Sequence, residues 1–326
     1  MTLTFILRHF KWNRLLALLV LISSGAVAQK DAQFSLFSLN QLYLNPAAAG
    51  AGQATRFQLM HRTQYAGYQG INTKDQGGAL STQLFSFSMP IKNFGIGFYA
   101  VNDRTGPLSY QDFKLSAAYR LPVMGGNLQL GASAGIFRQA LDHGKLRAID
   151  PDDPLILGDV TISEMHPDVA VGARFENETF HVGLSLNHLL QPKYKLGSDA
   201  ATNPLARTIY LNAGVNLEVG YLLDVQPIVL VKSDISTYSV EGGATVTYNK
   251  RFWVGGTYRQ QDAFVIIMGG LYLLPDQSLR LSGAYDMVIG GNKTKAPSSF
   301  EVLLSYDLPS PKFGKKTIIR TPRFRF

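Results

Sequence analysis

Thr179-Phe-His-Val-Gly-Leu-Ser-Leu-Asn187 alternates without a break. Phe180, Val182, Leu184 and Leu186 fall on one face of an extended chain. His181, Gly183, Ser185 and Asn187 fall on the other, because successive side chains of a strand point to opposite sides. One face is thus suited to an apolar medium and the other to a polar one. Thr208 to Glu218 repeats the pattern, with Ile209, Leu211, Ala213, Val215 and Leu217 opposed by Tyr210, Asn212, Gly214, Asn216 and Glu218. Asn127 to Gln139 and Ser239 to Asn249 do the same.

Extended over the body, the alternation marks about fourteen strands, the even number that bacterial outer-membrane barrels require. They are expected at 55–65, 78–88, 93–103, 111–122, 127–139, 168–175, 179–188, 206–218, 222–233, 239–249, 252–259, 262–272, 279–286 and 300–307. Connections after even-numbered strands are short, as in Val123-Met-Gly-Gly126 and Asn249-Lys-Arg251. Several after odd-numbered strands are long: 66–77, 140–167, 189–205 and 287–299. Short periplasmic turns opposite long external loops mark a membrane barrel. Aromatic residues near strand ends (Phe94, Tyr119, Phe180, Tyr248, Phe252, Tyr258, Tyr306) suit an interfacial girdle. A soluble β-sandwich also alternates, but its loops do not sort by length and its polar face carries more charge. The fold expected is all-β, an antiparallel transmembrane outer-membrane barrel.

Composition agrees. The chain has 326 residues, 46% apolar and 17% charged, with 31 glycines and no cysteine. Such a body is not disordered. Without cysteine there is no disulfide framework, thiolate nucleophile or thiolate metal site. Residues 1–28 read as a signal peptide: Arg8, Lys11 and Arg14, the apolar run Leu15 to Ile22, then Ala26-Val27-Ala28 before cleavage. That run is too short to span a bilayer. The formal charge is +8, but three cations lie in the signal and six lie after Leu308 with no acid among them. The body between is near neutral, unlike a nucleic-acid-binding protein with a basic folded face. Four parts follow: the signal 1–28, an N-terminal periplasmic or plug segment 29–54, a barrel 55–307 and a basic periplasmic tail 308–326.

Scattered motifs resemble the PorP/SprF family of outer-membrane proteins from the Bacteroidetes type IX secretion and gliding machinery. Asp31-Ala-Gln-Phe34, Leu42-Tyr-Leu-Asn-Pro46 and Ala49-Gly50 are similar to its opening motif. His61-Arg-Thr-Gln64, followed by Tyr65, resembles its first strand. His166-Pro-Asp168 with Gly172 resembles the step before the central strands. Val182-Gly-Leu-Ser185, His188-Leu189 and Gln191-Pro192 match the stretch after it. Trp253-Val-Gly255, Tyr258-Arg259, Gly269-Gly270 and Tyr285-Asp286 match later strands. Ser299-Phe-Glu-Val302, Ser305-Tyr306 and Thr321-Pro-Arg-Phe324 match the end. The chain departs in Ala47-Ala48-Ala49, where an aromatic is usual, and in its ending Phe324-Arg325-Phe326. The resemblance implies a non-enzymatic component of type IX export or gliding, or an anchor for a secreted adhesin, in the Gram-negative outer membrane. Its implied partners are the lipid bilayer and either periplasmic ring and peptidoglycan-linked lipoproteins or the C-terminal domain of a secreted adhesin.

The residues themselves offer no catalytic motif: there is no G-x-S-x-G elbow, no H-E-x-x-H and no phosphate loop. Ser185 beside His181 or His188 is the nearest to a nucleophile and base, yet His181 reads as a polar lumen residue and His188 as a strand-end hydrogen-bonding one. Asp150, Asp152, Asp153 and Asp159 could ligate a cation, but lack regular ligand spacing. No cofactor and no metal site are expected. A channel or hydrophobic-ligand transporter is the rival function. Partner-binding candidates are Phe34, Leu42, Tyr43, Leu44, Asn45 and Pro46, as a plug in the barrel or a docking strand for a periplasmic partner. Lys312, Lys315, Lys316, Arg320, Arg323 and Phe324 of the tail either dock on an acidic partner or phosphate, or stay solvated.

Overall fold

Fourteen antiparallel strands close into a ring in the computed structural model, which describes residues 31–52, 54–66, 80–146, 158–197, 203–260, 264–288 and 298–309. They are β1 (Ala54–Gln64), β2 (Leu80–Ile91), β3 (Phe94–Thr105), β4 (Leu108–Val123), β5 (Gly126–Asp142), β6 (Thr161–Glu176) and β7 (Phe180–Asn187). Then come β8 (Thr208–Val215, resuming at Leu217–Val219), β9 (Leu223–Ser233), β10 (Tyr238–Tyr248), β11 (Phe252–Arg259), β12 (Phe264–Tyr272), β13 (Leu279–Val288) and β14 (Ser298–Pro309). Each pairs with its chain neighbours, and β1 pairs with β14 to close the ring. The pause in β8 is local. Its register against β9 is the same on both sides, Gly214↔Ile228 and Leu217↔Val225, which sets Val215 opposite Pro227, a residue with no N–H to give the ladder.

Strands β5 and β6 run further than the sequence suggests. Their pairing is unbroken from Asn127↔Glu176 to Asp142↔Thr161, so the connection between them shrinks from 140–167 to 143–160. Pro167 ends the connection expected from the sequence. It lies in the part of β6 that β7 leaves unpaired, since that pairing stops at Val171↔Leu186, and proline is tolerated at such an edge.

The connections at one end are all short. Met124 (φ 52) and Gly125 (φ 72) both take left-handed conformations, as do Asn249 (φ 48) and Lys250 (φ 51). These backbones match the twist of the strands they join. Both ends of the described barrel, Ala54 and Pro309, pair at this same rim, which is the periplasmic one. Aromatic pairs ring it outside: Phe57 with Phe87 at 5.0 Å, Phe94 with Tyr119 at 4.9 Å and Tyr248 with Phe252 at 5.1 Å.

The opening stretch sorts as its alternation requires. Phe180, Val182 and Leu184 are exposed on the outer wall, while His181, Ser185 and Asn187 are buried on the inner one. The chain is an outer-membrane barrel with apolar residues toward lipid and polar residues toward the lumen. Two Arg–carboxylate pairs cross the closing seam between directly opposed residues, Arg62↔Glu301 and Arg56↔Asp307. Replacing Leu184 by Arg, midway along the outward row of β7, is expected to cost about 2–4 kcal/mol in denaturant titrations of the vesicle-inserted barrel. Leu184→Met is expected to change stability by less than about 1.5 kcal/mol. An Arg variant as stable as the parent would show that this face does not meet hydrocarbon.

Candidate functional site

A ring of this size leaves a lumen that its own side chains do not fill. The chain preceding β1 occupies it. Asp31 to Gly52 lies inside the wall as a series of tight turns. Gln41–Leu44 forms one helical turn and Pro46–Ala48 a 3₁₀ turn. Asn45 links them. It is extended (φ −143, ψ 116), as a residue before proline prefers, and its Oδ1 accepts the Ala47 N–H at 2.8 Å. Pro46 opens the turn at a position whose N–H would have no partner. Gly50 (φ 64) then steers the chain to the rim, where its N–H donates to Ser88 Oγ and its carbonyl accepts from Arg120.

The wall is shaped for this path. Asn45 Nδ2 donates to the carbonyls of Ala173 and Leu184, and Ser185 Oγ donates to the Leu44 carbonyl at 2.6 Å. A Cβ at Gly172 would overlap Asn45 Oδ1, and one at Gly131 would stand 2.5 Å from the Ala47 backbone. The small residues after Pro46 thus meet wall positions with no side chain. Tyr43 packs edge-on against Phe34 at 5.1 Å and Tyr99 at 5.4 Å.

Charge fixes the other half of the segment. Arg62 on β1 is fully buried and reaches Asp286 on β13 at 2.6 Å and Glu301 on β14 at 3.0 Å. The two Glu301 oxygens also accept the N–H groups of Ser35 and Leu36, at 2.8 and 2.9 Å. Ser35 Oγ bonds Asp286 and accepts from Arg62. Nearby, Arg259 pairs with Glu241 at 2.7 Å and reaches the Phe34 carbonyl.

A second cluster holds Asp31. His188 bonds Asp31 through Nε2 and Asp168 through Nδ1, both at 2.7 Å. Lys114 Nζ lies 2.7 Å from Asp168, Tyr210 Oη donates to Asp31 at 2.6 Å, and Lys232 donates to the Asp31 carbonyl. His188 sits just past β7 with φ 57, a conformation few side chains adopt without compensation. Burial opposes the charged ring, but the Asp31 and Asp168 carboxylates outweigh it and raise the His188 pKa to about 9. Burial would likewise raise Asp31, yet His188 and Lys232 hold it well below the carboxylate range.

Phe34, Leu42, Tyr43, Leu44, Asn45 and Pro46 are all buried against this wall. The tail candidates Lys312, Lys315, Lys316, Arg320, Arg323 and Phe324 lie outside the described residues, as do the signal peptide and Asp150, Asp152 and Asp153. Ser185 is spent on the Leu44 carbonyl and His188 lies between two carboxylates, so neither histidine is joined to that hydroxyl among the described residues. Sequence reasoning missed that Arg62, Asp168, His188, Asp286 and Glu301 bond one another or the segment. Their signal was a charged or imidazole side chain on the inward side of the alternation, or just past its end, where most polar residues are small and neutral. Below the segment, a cavity of about 280 Å³ opens at the periplasmic rim, lined by Gln41, Arg56, Gln58, Arg174, Glu176 and His181.

Arg62→Gln would leave two buried carboxylates without their cation. It is expected to cost about 3–5 kcal/mol and to expose residues 31–52 to protease; unchanged protection would deny Arg62 this role. The His188 pair stabilises the lock fully below pH 6.5, its ordinary value, and loses that contribution as pH rises through about 9. The Asp31 contribution is present above pH 3.8 and is lost on acidification. Proteolysis near residue 31 is therefore expected to rise above pH 9 in the parent and to be flat there in His188→Gln.

The model of a family described as "Type IX secretion system membrane protein PorP/SprF" matches residues 26–306. No curated protein matches. Among solved structures, the chain is similar to the CymD monoaromatic hydrocarbon channel, with TM-score 0.52, 15% identity, and coverage of 89% of this chain and 96% of that one. The Ralstonia pickettii toluene transporter TbuX gives TM-score 0.50, 12% identity, and coverage of 82% and 92%. At such identities the likeness concerns the barrel alone.

Proposed function

The chain belongs to the PorP/SprF family of type IX secretion system membrane proteins, and from that membership we propose that it is a non-enzymatic, protein-binding component of type IX secretion or gliding. It reaches the outer membrane by its N-terminal signal. Its partners are periplasmic ring or peptidoglycan-linked lipoproteins, or the C-terminal domain of a secreted adhesin that it retains at the surface. The observation that carries this reading is the occupied lumen: the chain's own segment is tied to the wall by buried ion pairs. A conduit needs a path that this segment leaves free. A protein anchor needs a rigid body with free rims, and the segment stiffens the barrel from within.

In this reading Phe34, Leu42, Tyr43, Leu44, Asn45 and Pro46 act as the seal. The basic tail, from Lys312 to Phe324, is the periplasmic docking element, its cations suited to acidic or phosphate groups and its Phe residues to apolar anchoring. The rival transporter reading draws on the barrel likeness to hydrocarbon channels. Truncation after Pro309 is expected to leave a folded barrel in the outer membrane but to abolish co-purification of periplasmic machinery from native membranes. Co-purification of one large adhesin instead would select the anchor version. A truncated chain that still retains its partners, or a parent barrel that conducts hydrocarbons and binds no secretion component, would overturn the proposal.

A further inference from the structure

One feature of the outer wall departs from its apolar rule. On β2, β3, β4 and β5 the directly opposed residues Gln83, Asn102, Gln111 and Arg138 all point outward. They form a chain of hydrogen bonds across the strands. Arg138 Nη1 donates to Gln111 at 3.0 Å, Gln111 Nε2 to Asn102 at 3.3 Å, and Asn102 Nδ2 to Gln83 at 2.8 Å. His61 on β1 is opposed to Gln83 and extends the row. Polar groups facing hydrocarbon are costly and rarely kept without a use. After the bonds of the row, Asn102 and Gln111 each keep one N–H and Gln83 keeps two, all on the outer side of the wall.

Arg104 stands two residues beyond Asn102 on the same face of β3, exposed and close to the external end. Among the described residues neither Arg104 nor Arg138 has a carboxylate partner. Two residues in the other direction, the outward position is Ala100, the floor of an apolar groove of about 500 Å³ walled by Leu59, Phe85, Phe113 and Leu304. Read from the external rim inward, β3 thus offers charge, amide and a carbon-lined groove. An acylated phosphate lying along the membrane normal presents its own parts in that order: phosphate, ester or amide carbonyls, hydrocarbon chain.

We propose that this face of β1–β5 binds one phosphate-bearing glycolipid of the outer leaflet. The phosphate lies between Arg104 and Arg138, which suits guanidinium donors. The acyl carbonyls accept the spare N–H groups of the Gln83–Asn102–Gln111 row. One acyl chain lies over Ala100. A protein covering the same face would need to supply acceptors opposite the row, together with a negative group beside the two arginines; a lipid carries both already.

The test is native mass spectrometry of the full chain purified from outer membranes, followed by delipidation and titration with lipid A, enzymatically dephosphorylated lipid A or phosphatidylethanolamine. The parent is expected to retain one lipid A and to rebind it in preference to the other two. The pair Arg104→Gln, Arg138→Gln is expected to weaken lipid A binding by about tenfold or more, which is about 1.4 kcal/mol per tenfold, and to remove the preference for phosphate. Ala100→Phe, which fills the groove and keeps both arginines, is expected to abolish retention. Heat-modifiable electrophoretic mobility reports that each variant is folded. Equal binding of all three lipids, retention unchanged in both folded variants, or a stoichiometric polypeptide found on this face in place of lipid would overturn the proposal.

Discussion

Arg62 carries a heavy electrostatic demand. Its guanidinium is wholly removed from water and is tolerated because Asp286 on β13 and Glu301 on β14 meet it. A buried cation so placed is strongly unfavourable unless it is paired and hydrogen-bonded. The pairing requires β1, β13 and β14 to be adjacent and in register. It also leaves Glu301 poised to accept two backbone N–H groups from Ser35 and Leu36. The same carboxylate therefore joins the wall to its contents.

The rest follows from putting a polar face inward. The lumen wall carries Lys114, Asp112, Asp168, Glu241 and Arg259, none of them free in water. Such groups need partners close at hand. They find them in one another and in the turns of residues 31–52, whose backbone N–H and carbonyl groups are equally in need of partners. Apolar residues of the segment take the remaining space: Phe34, Leu36, Leu42 and Tyr43 pack with Met60, Leu84, Tyr99 and Leu303 of the wall. The interior is a mixed core, half membrane barrel and half globular protein.

The barrel was legible in the sequence because a strand's two faces see different media, and period-2 alternation reports that directly. Strand positions follow closely for the same reason. The exceptions were Pro167, which broke the pattern inside β6, and Pro227, which interrupts β8 only in its hydrogen bonds. The contents of the lumen were less legible. Leu42-Tyr-Leu-Asn-Pro46 stood out as a motif, but alternation cannot say which wall residues a segment meets. Arg62, His188, Asp286 and Glu301 are far apart in the chain, and nothing local marks them as one cluster. The resemblance had gathered fragments that carry them, and their partnership became visible only when the ring was closed. The polar row on the outer wall was hidden for a related reason. Gln83, Asn102, Gln111 and Arg138 are single departures in four separate strands, and only the register lines them up.

The bond from Ser35 to Glu301 spans 266 positions of the chain. Ser35 and Leu36, translated near the start, thus wait for a strand translated near the finish before their N–H groups meet this acceptor. Contacts of such sequence separation form late, after the entropy of closing the intervening chain has been met. Seating of the segment is accordingly a record of completion: a barrel that lacks its last strand also lacks the acid that receives Ser35 and Leu36. An incomplete intermediate keeps those residues loose and open to degradation, while a finished one hides them. The Glu301 carboxylate is thus one of the groups that hold the segment only once the ring is complete.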